Sequence, residues 1–403
     1  VTIPNPNLSS PAFKADPFPF YARLRNESPV HPVMMPGKQR AWLITRYDDV
    51  VAALRDPRLG KDPLNAMSAE QKKKAPWIPP VFRPLTRNML DLDPPDHTRL
   101  RALVQKVFTP RLIEDLRPRI VTIANELLAA VATKRWMDVI RDFALPLPTI
   151  VIAEMLGVPV EDRTKFHRWS AGIVAANWSR WSTIRAVPNV IAFIRYIRKL
   201  TKARRRDPRN DLISALVAAN EAGDRMSDDE LLAMIFLLLI AGHETTVNLI
   251  GNGTLALLQN PNQRDRFRNE PALMKSAVEE LLRYGSPLET TTERFAAEDV
   301  VMHGVTIPRG EMVFAAIASA NRDERQFVNP DVLDLARDPN RHVSFGLGIH
   351  YCLGAPLARM EGQIAFEAML REQPRIRLAF PDKPLRWRRG LVLRGLESLP
   401  VAW

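Results

Sequence analysis

The chain has 403 residues, of which 46% are hydrophobic and 25% charged, a balance that fits a large folded core and excludes a disordered chain. Its 57 basic and 45 acidic side chains give a net charge of +12, so nucleic acid, an anionic membrane and an acidic protein all qualify as partners on charge alone. The single cysteine, Cys352, excludes an intrachain disulfide and any zinc or iron–sulfur site built of cysteines.

Residues 1–20 are rich in proline and polar side chains and show no basic-then-apolar signal pattern, which reads as a cytosolic protein. Strand character at Val30–Met35 and Ala41–Thr45 flanks a turn at Pro36-Gly37. Helical spacing begins after Asp48, with Val50, Val51 and Leu54 on one face. Residues 61–90 hold many Lys, Pro and Met without steady period, as a mobile surface segment would. Leu112, Leu116, Ile120, Ile123 and Leu127 restore the three-to-four spacing. The densest basic stretch is Arg195, Arg198, Lys199, Lys202, Arg204, Arg205, Arg206 and Arg209. Beyond Tyr196 it lacks the interleaved aromatics of a nucleic-acid groove and reads as a solvated helix end.

Ser227-Asp228-Asp229-Glu230 is a capping box, and the helix it opens runs to about Leu258, stopped near Pro261. Leu231–Ile240 is apolar all round, so this helix belongs in the core. The longest apolar run, Leu231–Gly242, is shorter than the ~20 residues of a membrane span. After Tyr284 come short extended pieces. A last helix, about Pro356–Arg371, carries Leu357, Met360, Ile364 and Ala368 on one face. No repeat or long linker divides the chain.

Two apparent motifs fail. His243-Glu244 lacks the second histidine of a zinc protease, since Val247 stands four residues on. Gly251-Asn252-Gly253 lies within a helix and cannot form a phosphate-cradling turn. The informative segment is Phe345-Gly346-Leu347-Gly348-Ile349-His350-Tyr351-Cys352-Leu353-Gly354-Ala355. Its glycines let backbone approach a flat surface, and a cysteine just before a helix has amides and a positive helix end that favour the thiolate. Such a thiolate is a suitable axial ligand for haem iron.

This segment resembles the haem-binding loop of the cytochrome P450 superfamily in its soluble bacterial form, with Cys352 as the iron ligand. The resemblance extends over nearly the whole chain. Ala241-Gly242-His243-Glu244-Thr245-Thr246 places glycine, an acid and two hydroxyls inside a core helix, where glycine costs about 1 kcal/mol against alanine and a buried carboxyl costs more. In the family that helix crosses the distal haem face. The resemblance implies that Gly242 leaves room for dioxygen and that Glu244 and Thr245 deliver protons. Glu280-Leu281-Leu282-Arg283 with Arg337 resembles the family's buried Glu–Arg–Arg network, which locks the cysteine loop. The cofactor-binding set carried over is His97, Arg101, Arg294, His350, Phe345 and Gly354, with the two histidines and two arginines facing the haem propionates.

What the resemblance implies is a mainly α fold, a triangular helical domain spanning 1–403 with a smaller β-rich region from about 1–60, 285–320 and 375–403. The implied cofactor is haem b. The implied reaction is dioxygen-dependent hydroxylation or epoxidation of a hydrophobic small molecule such as a macrolide, terpenoid, steroid or fatty acid. Electrons come from a separate ferredoxin or flavodoxin with its reductase, and the protein is a cytoplasmic monomer without nucleic-acid or membrane partners. A peroxide-driven peroxygenase and a haem-based ligand sensor are the alternatives; Glu244-Thr245 disfavours the first and the lack of an output domain the second. By analogy the substrate walls are Met89, Leu90, Leu238, Ala241, Pro287–Thr290, Leu391 and Val392, with Glu289 either a polar anchor or, as is commoner, a solvent-facing or hydrogen-bonded glutamate. Arg101, Lys106, Arg111 and Arg359 are expected to dock an acidic electron donor.

Overall fold

The computed structural model describes residues 3, 5–35, 39–73, 79–174, 180–221 and 226–403. Packing divides the chain into two compact units. The first comprises Val1–Lys74, Arg119–Pro146 and Thr245–Trp403; the second comprises Ala75–Pro118 and Leu147–Glu244.

The first unit holds all strands among the described residues. A five-stranded sheet runs in the order Val30–Met34, Arg40–Ile44, Met312–Ala315, Arg294–Ala296, Leu59–Gly60. The expected strand pair forms, antiparallel, with Val30 opposite Ile44 and Val33 opposite Ala41. The turn expected at Pro36-Gly37 lies outside the described residues. Side chains alternate across a strand, and here both faces are covered. Trp42, Ile44, Val313 and Ala315 enter one apolar cluster with Val50 and Leu54 of the helix Tyr47–Arg55. Ala41, Leu43 and Phe314 enter another with Tyr21 and Leu24 of the helix Phe18–Glu27. A smaller sheet joins Trp136–Asp138, Pro400–Ala402 and Arg377–Leu378.

Among the described residues, the regular elements of the second unit are all helices, joined by turns and loops. The helix Arg180–Arg206 lies against Arg163–Val174, with Phe193 stacked on Phe166 at 5.6 Å between centroids. The 61–90 stretch is more ordered than its composition suggests. Helices Pro63–Ala66 and Ala69–Lys73 form within it, and Gln71 donates to the Arg309 carbonyl at 3.3 Å. The basic stretch also differs from a wholly solvated helix end. Arg204 is buried, pairs with Asp211 and donates to the Gly157 carbonyl at 2.8 Å.

The capping box closes reciprocally. The Glu230 amide donates to Ser227 Oγ at 3.1 Å, and the Ser227 amide to Glu230 Oε2 at 2.8 Å. From it springs the helix Asp228–Gln259, whose 32 residues exceed the apolar run seen in sequence. By length and composition this helix is long and apolar enough to cross a membrane, yet 61% of its most apolar window is buried inside the protein. Core burial accounts for its hydropathy. The boundary between the two units falls within it, between Glu244 and Thr245.

Candidate active site

Cys352 lies on a loop that closes on itself. Its amide donates to the Phe345 carbonyl at 2.9 Å, and Gly354 is the N-cap of the helix Ala355–Glu372. Gly346 and Gly348 take left-handed conformations, φ +67° and +72°, which side-chain-bearing residues adopt only at a cost. A Cβ on Gly348 would stand 2.8 Å from the Leu54 carbonyl oxygen, so only glycine allows that approach. A Cβ on Gly346 would meet nothing within 4 Å, and one on Gly354 would come 4.0 Å from Cys352 Sγ. The thiol is exposed beside this glycine surface. A flat group carrying an axial thiolate fits that surface and donor. Among the described residues no cluster of three or more His, Cys, Asp or Glu is placed to hold a metal ion, so a metal here relies on Cys352 and a cofactor's own ligands.

Two ionic clusters hold the loop. Glu280 and Arg283 are wholly buried on the helix Met274–Gly285 and pair bidentately, at 2.7 and 2.8 Å. Arg337 Nε adds bonds of 3.2 and 3.1 Å to the same carboxylate. Arg283 also donates to the carbonyls of Asn321 and Pro330, both at 2.8 Å, tying the helix to the chain that leads into the loop. This is the network expected from the sequence.

The neighbouring residue, Glu279, makes a second cluster that the sequence reading missed. It accepts from Arg359 at 2.7 and 2.8 Å and lies 3.0 Å from His342 Nε2. The Arg359 guanidinium lies 4.4 Å from the centroid of the Phe345 ring. Arg359 is therefore a brace of the loop. Its side chain nevertheless stays 31% exposed.

Arg294 is buried in the first unit and donates to the carbonyls of Leu59 at 2.9 Å and Leu54 at 3.4 Å. The Leu54 carbonyl thus meets both Gly348 and Arg294, and fixes the expected propionate arginine relative to the cysteine loop. His350 ends the 3-10 turn Gly348–His350 and is partly buried. In the second unit, His97 and Arg101 share the helix Asp96–Val107 one turn apart; His97 is buried and Arg101 partly so.

Gly242, Glu244 and Thr245 all lie on the 228–259 helix and are partly buried. Glu244 is therefore not the buried acid the sequence suggested. That acid is Glu361, on the 355–372 helix, 1% exposed, with Oε2 finding no hydrogen-bond partner among the described residues. Burial pushes its carboxyl up to about 8, offset only slightly by the Thr246 hydroxyl beside it. The signal was present, because Glu361 lies four residues after Leu357 and three before Ile364 on the core face.

Glu289 is likewise settled. It is wholly buried and holds Lys14 Nζ at 2.8 Å and Tyr21 Oη at 2.7 Å, so it pins the N-terminal helices and has no reach for substrate. Its surrounding backbone is paired as well, the Glu289 amide donating to the Val392 carbonyl at 2.8 Å. A cavity of about 430 Å³ in the first unit, lined by Phe18, Arg322, Trp387 and Arg394, includes none of the expected site residues.

Comparison with known proteins agrees with this arrangement. The family model described as Cytochrome P450 matches residues 152–373. The polyketide biosynthesis cytochrome P450 PksS of Bacillus subtilis is 47% identical over 97% of this chain and 96% of its own length. Its solved structure superposes with a TM-score of 0.92 over 98% of this chain and 99% of that one. Myxobacterial CYP267B1 in complex with myristic acid gives a TM-score of 0.91 at 47% identity, covering 98% of each chain. P450BioI in complex with a hexadec-9Z-enoic acid-ligated acyl carrier protein gives 0.88 at 39% identity, covering 98% of this chain and 100% of that chain. With the cysteine loop, its Glu–Arg–Arg lock and these relatives together, the chain belongs to the cytochrome P450 family of haem-thiolate monooxygenases.

Proposed function

We propose that this P450 binds haem b through Cys352 and hydroxylates or epoxidises a hydrophobic acyl-chain substrate, as one domain, monomeric and cytoplasmic. The observation that carries this reading is the loop that presents Cys352 over Gly346, Gly348 and Gly354. When bound, the haem supplies a redox-active iron at which dioxygen is activated by two externally delivered electrons. The thiolate of Cys352 would be the ligand that holds that iron. Arg294, His97, Arg101 and His350 are the residues that would hold the propionates, and Phe345 would pack against the bound group. Gly242 keeps the volume over its own helix turn open. Glu244 takes protons from solvent and passes them to the Thr245 hydroxyl, which holds one toward the oxygen site.

The substrate class rests on two relatives, one solved in complex with myristic acid and one with a hexadec-9Z-enoic acid-ligated acyl carrier protein. Electrons come from a ferredoxin or flavodoxin and its reductase. Reduced protein under carbon monoxide should give the red-shifted band of thiolate ligation. Cys352→His should abolish it, and retention of the band in that variant defeats the assignment. Titrating hexadecanoic acid should displace the iron-bound water and shift the haem spectrum. Turnover with a reductase pair but not with peroxide separates the monooxygenase from a peroxygenase, and turnover at all separates it from a sensor.

A further inference from the structure

The helix Arg180–Arg206 has two unlike faces. Phe193, Ile197, Leu200 and Arg204 repeat at four, three and four residues and are buried. Arg195, Lys199, Lys202 and Arg206 repeat at the same intervals two residues later, on the opposite side, and are exposed. Eleven residues of helix place the four cations along about 17 Å. Among the described residues none of the four makes an ion pair within 4.0 Å, whereas their neighbours do. Arg198 pairs with Asp229 at 2.9 Å, and Arg205 pairs with Asp228.

Like charges one turn apart repel, and the helix dipole favours cations only in the last turn. Arg195 and Lys199 stand two to three turns before the end. An exposed apolar residue extends the row, since Ile184 lies eleven residues before Arg195 on the same face and is 61% exposed. Four uncompensated cations with one apolar contact match an acidic, helical protein surface. Specific duplex DNA recognition would ask for polar side chains that reach base edges, and this row of cations has none. One isolecine-sized contact is too little for a membrane, which takes a continuous apolar face.

The helix's position within the second unit indicates which acidic protein. Phe193 on its buried face meets Phe236 of the 228–259 helix at 5.4 Å between centroids, two residues before Leu238 and about two turns before Gly242 and Glu244. The cationic face therefore backs onto the substrate-side segment, whereas an electron donor is expected at the segments around Cys352. We propose that Ile184, Arg195, Lys199, Lys202 and Arg206 form the docking surface for an acidic acyl carrier protein that presents the substrate as a tethered chain. This rests on the acyl-chain reading above and adds to it the partner and the surface.

The test uses the haem-loaded protein, fluorescently labelled hexadecanoyl acyl carrier protein and, separately, free hexadecanoic acid. Reversing the four charges (Arg195→Glu, Lys199→Glu, Lys202→Glu, Arg206→Glu) should weaken carrier binding by about tenfold or more, chiefly by slower association that added salt mimics. Free-acid binding should not change. The exchange Arg195→Lys with Arg206→Lys should retain carrier affinity. Equal carrier binding by wild type and the reversed variant overturns the proposal. So does tighter binding of duplex DNA or phosphatidylserine vesicles to this face, or a charge reversal that slows only ferredoxin association. Failure of wild type to bind free hexadecanoic acid while still binding the carrier would refute the acyl-chain reading and leave the docking surface standing.

Discussion

Glu279 and Glu361 stand on the two helices that bracket the cysteine loop, 274–285 before it and 355–372 after it, and their carboxyls end far apart. At Glu279 burial pushes the carboxyl up, but the hydrogen bonds from Arg359 and His342 overcome it and hold it down at about 2. At Glu361 burial dominates and lifts the carboxyl to about 8, countered only by the hydrogen bond with the Thr246 hydroxyl. A guanidinium with two well-aligned donors stabilises a desolvated carboxylate; a single hydroxyl does not. The loop is thus braced on its Glu279 side by charges. On its Glu361 side the 355–372 helix meets the 228–259 helix through an acid that is neutral at pH 7.

The harshest way to break this contrast is beside Glu279, at Glu280. Glu280→Ala strands the wholly buried guanidinium of Arg283 and removes the partner of the partly buried Arg337. Losing one member of such a set costs about 3–5 kcal/mol. The expected result is a large fall in the urea midpoint, and a shift near zero would show that the network contributes nothing to folding.

Glu361→Gln tests the neutral side and works in the opposite direction. A carboxyl raised above its unfolded value of 4.5 keeps its proton when folded and loses it when unfolded. The unfolded state therefore binds fewer protons between about 4.5 and 8, and stability falls as pH rises through that window. At pH 7 the penalty is about 3 kcal/mol at 1.36 kcal/mol per pH unit. Glutamine cannot ionise, so the variant should be more stable than wild type at pH 8 and closely matched at pH 4.5. Parallel pH profiles of the two proteins would show Glu361 to be ionised in the fold.

Glu279→Gln has the smaller and reversed signature. A depressed carboxylate contributes stability above its unfolded pKa of 4.5 and loses it as pH falls toward about 2. Its side chain is 28% exposed, so solvent screening reduces the contribution to about 1–2 kcal/mol. Acid unfolding of the variant should lack the wild-type decline between those values. Near-ultraviolet circular dichroism should change as Arg359 leaves the Phe345 ring. An unchanged acid limb would mean that other carboxylates set it.

Local patterns made part of this legible from sequence. The glycine-framed cysteine, the capping box at Ser227 and the core-face spacing of the long helices all depend on residues within a few positions of one another. The Glu280–Arg283 pair is local too, and Arg337 was placed through the family resemblance. What sequence could not supply was pairing over distance. Glu289 is satisfied by Lys14 and Tyr21, 275 and 268 residues away, and Glu279 by Arg359, 80 residues on. No short-range pattern distinguishes such a glutamate from one that faces solvent. Glu361 shows the converse failure. Its core-face position was visible, but a run of apolar neighbours drew the attention that the acid among them warranted.

The finest test lies one turn before Thr246, at Gly242, on the helix that Glu361 approaches. A Cβ there would meet Ile152 Cδ1 at 3.3 Å and Cγ1 at 3.5 Å. The nearer atom ends a flexible side chain, so a shift of a few tenths of an ångström relieves the contact, and the backbone is ordinary helix. Replacing glycine by alanine inside a helix gains about 1 kcal/mol in propensity. The two effects nearly cancel, and Gly242→Ala should leave stability within about 1 kcal/mol of wild type. Carbon monoxide association and product formation should both slow if the glycine keeps volume open for a diatomic ligand. A loss above about 2 kcal/mol, in the range of overpacked cores, would show instead that Ile152 cannot move and that the glycine serves packing in the second unit. Unchanged stability together with unchanged carbon monoxide kinetics would remove Gly242 from the proposed site and leave the Glu361–Thr246 contact as the feature of this helix turn that still requires a function.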